Sequence, residues 1–70
     1  MTIDLNEAIF RIPPGATGMI DWRGDSELTF RCQLRWLEGN MPCHCYGEGP
    51  DPTAAVLAAI DSMTAIRKPA

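Results

Sequence analysis

Polar and apolar residues alternate along residues 28–37, which read LTFRCQLRWL. Up to Trp36 the even positions carry apolar side chains, and the odd positions carry threonine, arginine and glutamine. A period of two places successive side chains on opposite sides of an extended backbone. The pattern therefore predicts a strand with one buried face and one face in water.

A turn signal follows this strand and predicts a hairpin. Glu38-Gly39-Asn40 contains glycine and asparagine, which supply the positive φ angles that a tight hairpin requires. The chain should then return as a second strand over about residues 41–47. The loop would hold either residues 39–40 or residues 38–41, and both lengths give the same register.

That register decides which residues share a face, because residues directly opposite each other in an antiparallel pair point to the same side. It pairs Trp36 with Cys43, Leu34 with Cys45, and Arg35 with His44. Both cysteines of the second strand then point into the core, while His44 and Tyr46 point outward with the arginines. This is the register that buries the more apolar set of side chains.

Asp51 and Pro52 mark the start of a C-terminal helix. Asp51 can cap the first free backbone N–H groups, and Pro52 suits the first helical position, where no N–H donor is needed. The helix should run over about residues 52–66. Its apolar stripe, at i, i+3, i+4 and i+7, consists of Val56, Ala59, Ile60 and Met63, with Leu57 beside it.

The first 27 residues allow two interpretations. Residues 8–12 and 17–22 each alternate well enough to be strands, with a break at Pro13-Pro14-Gly15 and a turn at residues 23–26. The opening could instead be one helical turn capped by Asp4. In both cases the sequence predicts one α+β domain over residues 1–70. It has an antiparallel sheet of three or four strands with one C-terminal helix packed on one face.

Composition indicates a small folded domain of the cytoplasm. Hydrophobic residues make up 46% of the 70 residues and charged residues 21%, which is ordinary for globular chains. The longest apolar run, residues 54–60, is far shorter than the roughly 20 residues that a membrane span needs. The acidic start also lacks the charge pattern of a signal peptide. We therefore expect a cytoplasmic protein without a membrane partner.

Three cysteines and the single histidine raise the question of a metal site or a reactive thiol. In principle a Cys3His zinc set could form from Cys32, Cys43, Cys45 and His44. A regular strand, however, places His44 on the face opposite to the thiols, and a buried cysteine is neither exposed nor activated as a nucleophile requires. We expect no metal, no cofactor and no enzymatic activity, and a zinc-stabilised domain is the third hypothesis.

The outward face of the predicted hairpin is the candidate binding face. It would present Arg31, Gln33, Arg35, His44 and Tyr46. Arginine and tyrosine are enriched at binding hot spots, and they could equally contact a phosphate or a base. A net charge of −3 disfavours general binding to nucleic acid. A second, acidic surface for a basic partner would contain Asp21, Asp25, Glu27, Glu48 and Asp51.

Two resemblances bear on function. From Phe30 onward the strand, hairpin, strand and GEGPDPTAAVLAAI resemble the second half of a double-stranded-RNA-binding domain, where a Gly-x-Gly loop leads into an alanine-rich helix. That family carries lysines before the helix, and this chain has Pro50-Asp51-Pro52 there. In size, charge and architecture the chain also resembles the small acidic anti-CRISPR proteins that phages encode, which implies a stoichiometric blocker.

We therefore expect a non-enzymatic protein-binding inhibitor or adaptor. The narrower expectation is a phage-encoded blocker of a host nucleoprotein defence complex such as CRISPR-Cas, acting in the host cytoplasm. The alternative is a small nucleic-acid-binding module that uses the Arg/His/Tyr sheet face. An exposed edge strand also leaves a homodimer open.

Overall fold

The computed structural model describes residues 3–24 and 27–67. Its elements, in chain order, are α1 (Leu5–Phe10), β1 (Thr17–Gly24), β2 (Leu28–Glu38), β3 (Met41–Gly49) and α2 (Pro52–Arg67). The three strands form one open antiparallel sheet in the order β1-β2-β3, and α2 packs against it. The α+β prediction is confirmed, with three strands rather than four.

The predicted hairpin register is confirmed at all three pairs. Trp36 lies opposite Cys43, Leu34 opposite Cys45, and Arg35 opposite His44. The turn holds residues 39–40, and Gly39 has φ +63°, a backbone conformation that costs glycine little. Strand β3 continues two residues beyond the predicted end, to Gly49, because its backbone stays paired with Phe30.

The N-terminal segment is helical, so the strand prediction for residues 8–12 is wrong and the helical alternative is correct. The side chain of Asp4 accepts a hydrogen bond from the backbone N–H of Glu7 at 2.8 Å, which caps α1. Alternation over five residues was too short to outweigh this Asp-x-x-Glu start signal. Of the turn expected at residues 23–26, Arg23 and Gly24 end β1, and the other two lie outside the described residues.

Helix α2 begins as the sequence predicts, because the side chain of Asp51 accepts a hydrogen bond from the N–H of Ala54 at 2.8 Å. Its stripe reaches the core through Val56, Ala59 and Met63, while Ile60 is half-buried. The buried core consists of Ala8, Cys32, Leu34, Trp36, Cys45, Ala55, Val56, Ala59 and Met63. Neither described helix combines the length and apolarity that crossing a bilayer requires.

Glycine and alanine let α2 lie directly on the backbone of β3. A Cβ built on Gly47 would stand 2.6 Å from the carbonyl oxygen of Ala55 and would overlap the backbone nitrogen of Ala59. The thiol of Cys45 donates a hydrogen bond to the carbonyl of Ala59 at 3.3 Å. The helix thus covers β3 and β2 on one face, here called the inner face, and barely reaches β1.

Candidate binding face

The side of the sheet turned away from α2, here called the outer face, carries all five residues that the sequence predicted. Gln33 lies opposite Tyr46, and Arg35 lies opposite His44. Gln33 is half-buried, and the other four side chains are exposed. The alternation of β2 and the register of β3 place them together, because residues opposite each other share a face. Neither described helix covers them, since α2 occupies the inner face.

Arg31 is the most constrained side chain of the outer face. Its Nη2 donates to Oδ2 of Asp21 at 3.1 Å, and its guanidinium carbon lies 5.4 Å from the centroid of the Tyr46 ring. Glu48 is the residue directly opposite on β3. The hydrogen bond and the attraction of Asp21 raise the pKa of Arg31 above its ordinary value. The guanidinium is therefore held between a carboxylate and an aromatic ring while it stays open to solvent.

Tyr46 links Arg31 to the other end of the face. Its ring meets the ring of His44 edge to face, with centroids 5.6 Å apart and planes at 77°. Arg35 stands across from His44, and no carboxylate pairs with it within residues 3–24 and 27–67. The row from Arg31 through Tyr46 to His44 is thus a continuous ordered strip, and Arg35 is a second, freer guanidinium beside it.

Among the described residues, the members of the predicted acidic surface are not gathered on one separate face. Asp21 and Glu48 flank Arg31 on the outer face, because their register positions are the two neighbours of Arg31 across the sheet. Asp51 caps α2, and Glu27 is exposed just before β2. Asp25 lies outside the described residues. Negative charge is therefore mixed with the arginines rather than gathered against a basic partner.

Sequence reasoning missed the contribution of β1 to this face. Met19 lies opposite Gln33, and Arg23 lies opposite Thr29 on the same side as Arg31. A polar hollow of about 300 Å³ is lined by Asp21, Trp22, Arg23, Thr29, Arg31 and Glu48. The alternation in β1 indicates which of its residues share a face. The sequence does not determine the length of the connection to β2, however, and therefore does not predict which residues of the two strands lie opposite each other.

The cysteines lie on the inner face, away from His44. Cys32 and Cys45 are buried and Cys43 is half-buried. Burial raises the pKa of the Cys32 thiol, with Cys45 adding to the effect, and burial likewise raises the pKa of Cys45. The proposed Cys3His set is split between two faces of a sheet. Across the described part of the chain, no group of three or more Cys, His, Asp or Glu residues is placed to hold a metal ion.

Comparison of the chain with protein-family models, with curated proteins and with solved structures gives no match. The chemistry of the outer face is that of its own side chains. It offers one guanidinium ordered by a carboxylate and a phenol ring, and a second guanidinium beside an imidazole. Groups of this kind bind carboxylates, phosphates and the faces of aromatic rings.

Proposed function

We propose that the protein is a non-enzymatic inhibitor or adaptor that binds a protein partner through its outer face. The observation that carries the proposal is the ordered Arg31, held by Asp21 and Tyr46 on a sheet face that neither described helix covers. Tyrosine and arginine supply much of the energy at protein interfaces. A side chain ordered before binding loses less conformational freedom when the partner docks.

The charges of this face favour a protein over a nucleic acid. Arg23, Arg31 and Arg35 are balanced by Asp21 and Glu48, which leaves one net positive charge with His44 neutral. Phosphate binding gains its affinity from an excess of positive charge, and the two carboxylates would face the phosphates beside Arg31. Interleaved charges of both signs suit a partner surface that presents the complementary pattern.

A nucleic-acid-binding module is the second candidate, and one corner of the face favours it. Arg35, His44 and Tyr46 stand together without a carboxylate opposite any of them. Exposed aromatic rings beside a guanidinium can stack on unpaired bases of a single strand. The two candidates therefore use different ends of the outer face, Arg31 for a protein and Arg35 for a nucleic acid.

An anti-CRISPR-like blocker is the narrower form of the first candidate. Asp21 and Glu48 on the outer face support it, because nucleoprotein machines expose basic residues where nucleic acid binds, and these could pair with the two carboxylates. The protein would then compete with nucleic acid for such a surface. An excess of guide or target nucleic acid should release it from a Cas complex, whereas an adaptor would remain bound.

The test combines capture from host lysate with three single substitutions. The protein is immobilised and its retained partners are identified by mass spectrometry before and after nuclease treatment. Arg31→Ala and Arg35→Ala separate the two ends of the outer face. Arg11→Ala is the matched control, because this arginine at the C-cap of α1 is also exposed. Circular dichroism confirms that each variant is folded.

A nuclease-resistant protein partner whose binding falls about tenfold or more with Arg31→Ala, and is unchanged with Arg11→Ala, would support the proposal. Retention that disappears with nuclease and follows Arg35→Ala would replace it with the nucleic-acid module. In that case the affinity for a labelled single-stranded oligonucleotide should fall as salt rises. If Arg31→Ala and Arg35→Ala both leave binding of the protein partner unchanged, the partner binds a surface other than the outer face.

A further inference from the structure

Strand β1 is an exposed edge of the sheet. It pairs with β2 on one side, and no described strand lies on its other side. Seven of its eight residues are exposed, and its sequence, TGMIDWRG, contains neither proline nor lysine. Its pairing with β2 runs without a bulge from Thr17 opposite Arg35 to Gly24 opposite Leu28. Natural sheets often block an edge with proline, lysine or a bulge. Strand β1 has none of these, and its two charged residues, Asp21 and Arg23, carry opposite signs, so its edge can serve as a template for another strand.

An apolar groove lies beside this edge on the inner face, where α2 barely reaches the sheet. Its volume is about 440 Å³, and its lining includes Ile9, Ile12, Gly18 and Ile20. Gly18 contributes no side chain, and a Cβ there would stand 3.2 Å from Cδ2 of Leu34. The groove thus exposes apolar surface next to unpaired backbone.

Trp22 supplies a side chain that fits such a groove. Its partner in β2 is Phe30, which packs against the core, so Trp22 also belongs to the inner face. It is nevertheless 70% exposed, and α2 barely reaches β1. A large exposed indole and an open apolar groove therefore occur on the same face of one edge strand.

We propose that two copies of the chain join through antiparallel pairing of their β1 strands, with Ile20 opposite Ile20 of the second copy. The two-fold axis of this dimer passes between the two Ile20 residues. Two residues away from the axis, Trp22 of one copy lies opposite Gly18 of the second copy, at the mouth of its groove. Symmetry repeats the contact, so both grooves receive an indole. The same self-complementary patch is used twice, as a two-fold dimer requires.

Face, charge and the position of the groove together favour this register. In the dimer, both α2 helices lie on one side of the joint sheet only when even-numbered residues of one β1 strand pair with even-numbered residues of the other. A two-fold axis at Asp21 would set that carboxylate opposite itself, which is unfavourable. An axis at Trp22 would leave the grooves unfilled. The axis at Ile20 pairs Met19 with Asp21 and Thr17 with Arg23 on the outer face, with no like charges opposed.

Sedimentation velocity and tryptophan fluorescence test the proposal over protein concentrations from about 1 to 500 µM. We expect the mass to double with concentration while the emission shifts to the blue. Trp22 is the source of that shift, because Trp36 is already buried at 6% exposure. Trp22→Ala should keep the fold and abolish both changes.

Cross-linking tests the register independently of the indole. In a chain that carries Cys43→Ala, Ile20→Cys should oxidise to a symmetric dimer, since its two copies lie directly opposite. Thr17→Cys is the matched control, because its copies would lie about 20 Å apart along the strands. A protein that stays monomeric at every concentration would overturn the proposal. So would a dimer that survives Trp22→Ala, or one in which Thr17→Cys cross-links faster than Ile20→Cys.

Discussion

Gly47 offers the sharpest prediction about how this fold is held together. It lies on β3 under α2, opposite Cys32, and a Cβ there would collide with three backbone atoms of the helix. The obstacles are the backbone nitrogen of Ala59, the carbonyl oxygen of Ala55 and the carbonyl carbon of Ala58. Backbone atoms of a helix cannot turn aside as the end of a side chain can. In Gly47→Ala, therefore, α2 must move away from the sheet as a body.

We expect Gly47→Ala to lower the free energy of unfolding by an amount at the upper end of the range for overpacked cores. Extra methyl groups in a tight core usually cost about 1 to 3 kcal/mol, and here the whole helix interface shifts, so we expect about 3 kcal/mol. A 70-residue domain has a free energy of unfolding of roughly 3.5 to 10 kcal/mol. The loss corresponds to a fall in melting temperature of about 12 to 24 °C. The variant should be marginally folded or unfolded at 37 °C.

Urea unfolding followed by circular dichroism and by tryptophan fluorescence measures this loss. Gly24→Ala is the matched control: it is also a strand glycine, but a Cβ there would lie 3.9 Å from Cδ1 of Leu28, an ordinary contact. It should leave stability unchanged or raise it by up to about 1 kcal/mol, because alanine has less freedom to lose on folding. If Gly47→Ala cost no more than Gly24→Ala, the close approach of α2 to β3 would be refuted.

Gly49 provides a comparison with Gly47, because the nearest atom to a Cβ at Gly49 belongs to a side chain rather than to the backbone. A Cβ there would meet the Cβ of Ala54 at 2.6 Å. Adding Ala54→Gly to Gly49→Ala should therefore recover part of the lost stability, beyond the roughly 1 kcal/mol that glycine itself costs in a helix. Adding Ala59→Gly to Gly47→Ala should recover nothing, because the atom in the way is a backbone nitrogen.

Two further predictions concern the cap and the thiols. Asp51→Ala should lower the free energy of unfolding by about 1 kcal/mol, because the N–H of Ala54 loses its acceptor, whereas Asp61→Ala on the exposed side of α2 should change it by less than about 0.5 kcal/mol in urea unfolding. Stability should also fall as pH rises above the ordinary thiol pKa of 9.0, because the thiols of Cys32 and Cys45 ionise more easily in the unfolded chain. Urea unfolding at neutral and alkaline pH should show a shallower decline for Cys32→Ala, and an equal decline would contradict the effect of burial.

The hairpin and α2 could be predicted because their signals are local. Alternation in β2 fixes which side chains are buried, and the two-residue turn at Gly39 fixes how β3 returns. Asp51 and Pro52 define the helix start by hydrogen bonding and by φ alone. These signals were enough to bring Arg35 and His44 onto one face.

The remaining features depend on distant contacts that no local pattern encodes. The ion pair of Arg31 with Asp21 requires the register of β1 against β2, which the sequence alone does not determine. The role of Gly47 depends on an alanine-rich helix that arrives from later in the chain. Glycine has no side chain and leaves no hydrophobic signal, so in the sequence a glycine that permits close packing resembles a loop residue.

The dimer and the binding face, although proposed separately, have a joint geometric consequence. Pairing through β1 keeps both outer faces on the same side of one six-stranded sheet, so each dimer presents Arg31 twice. Two β1 strands lie between the two β2 strands, and strands stand about 4.8 Å apart with about 3.4 Å per residue along each. The Cα atoms of the two Arg31 residues are then separated by about 16 Å. Such spacing suits a partner with two copies of the binding site, because the second contact is then intramolecular and forms at a high effective concentration. A monomer would bind the same partner through one Arg31. A partner with a single binding site would therefore bind the dimer and the monomer with equal affinity per site.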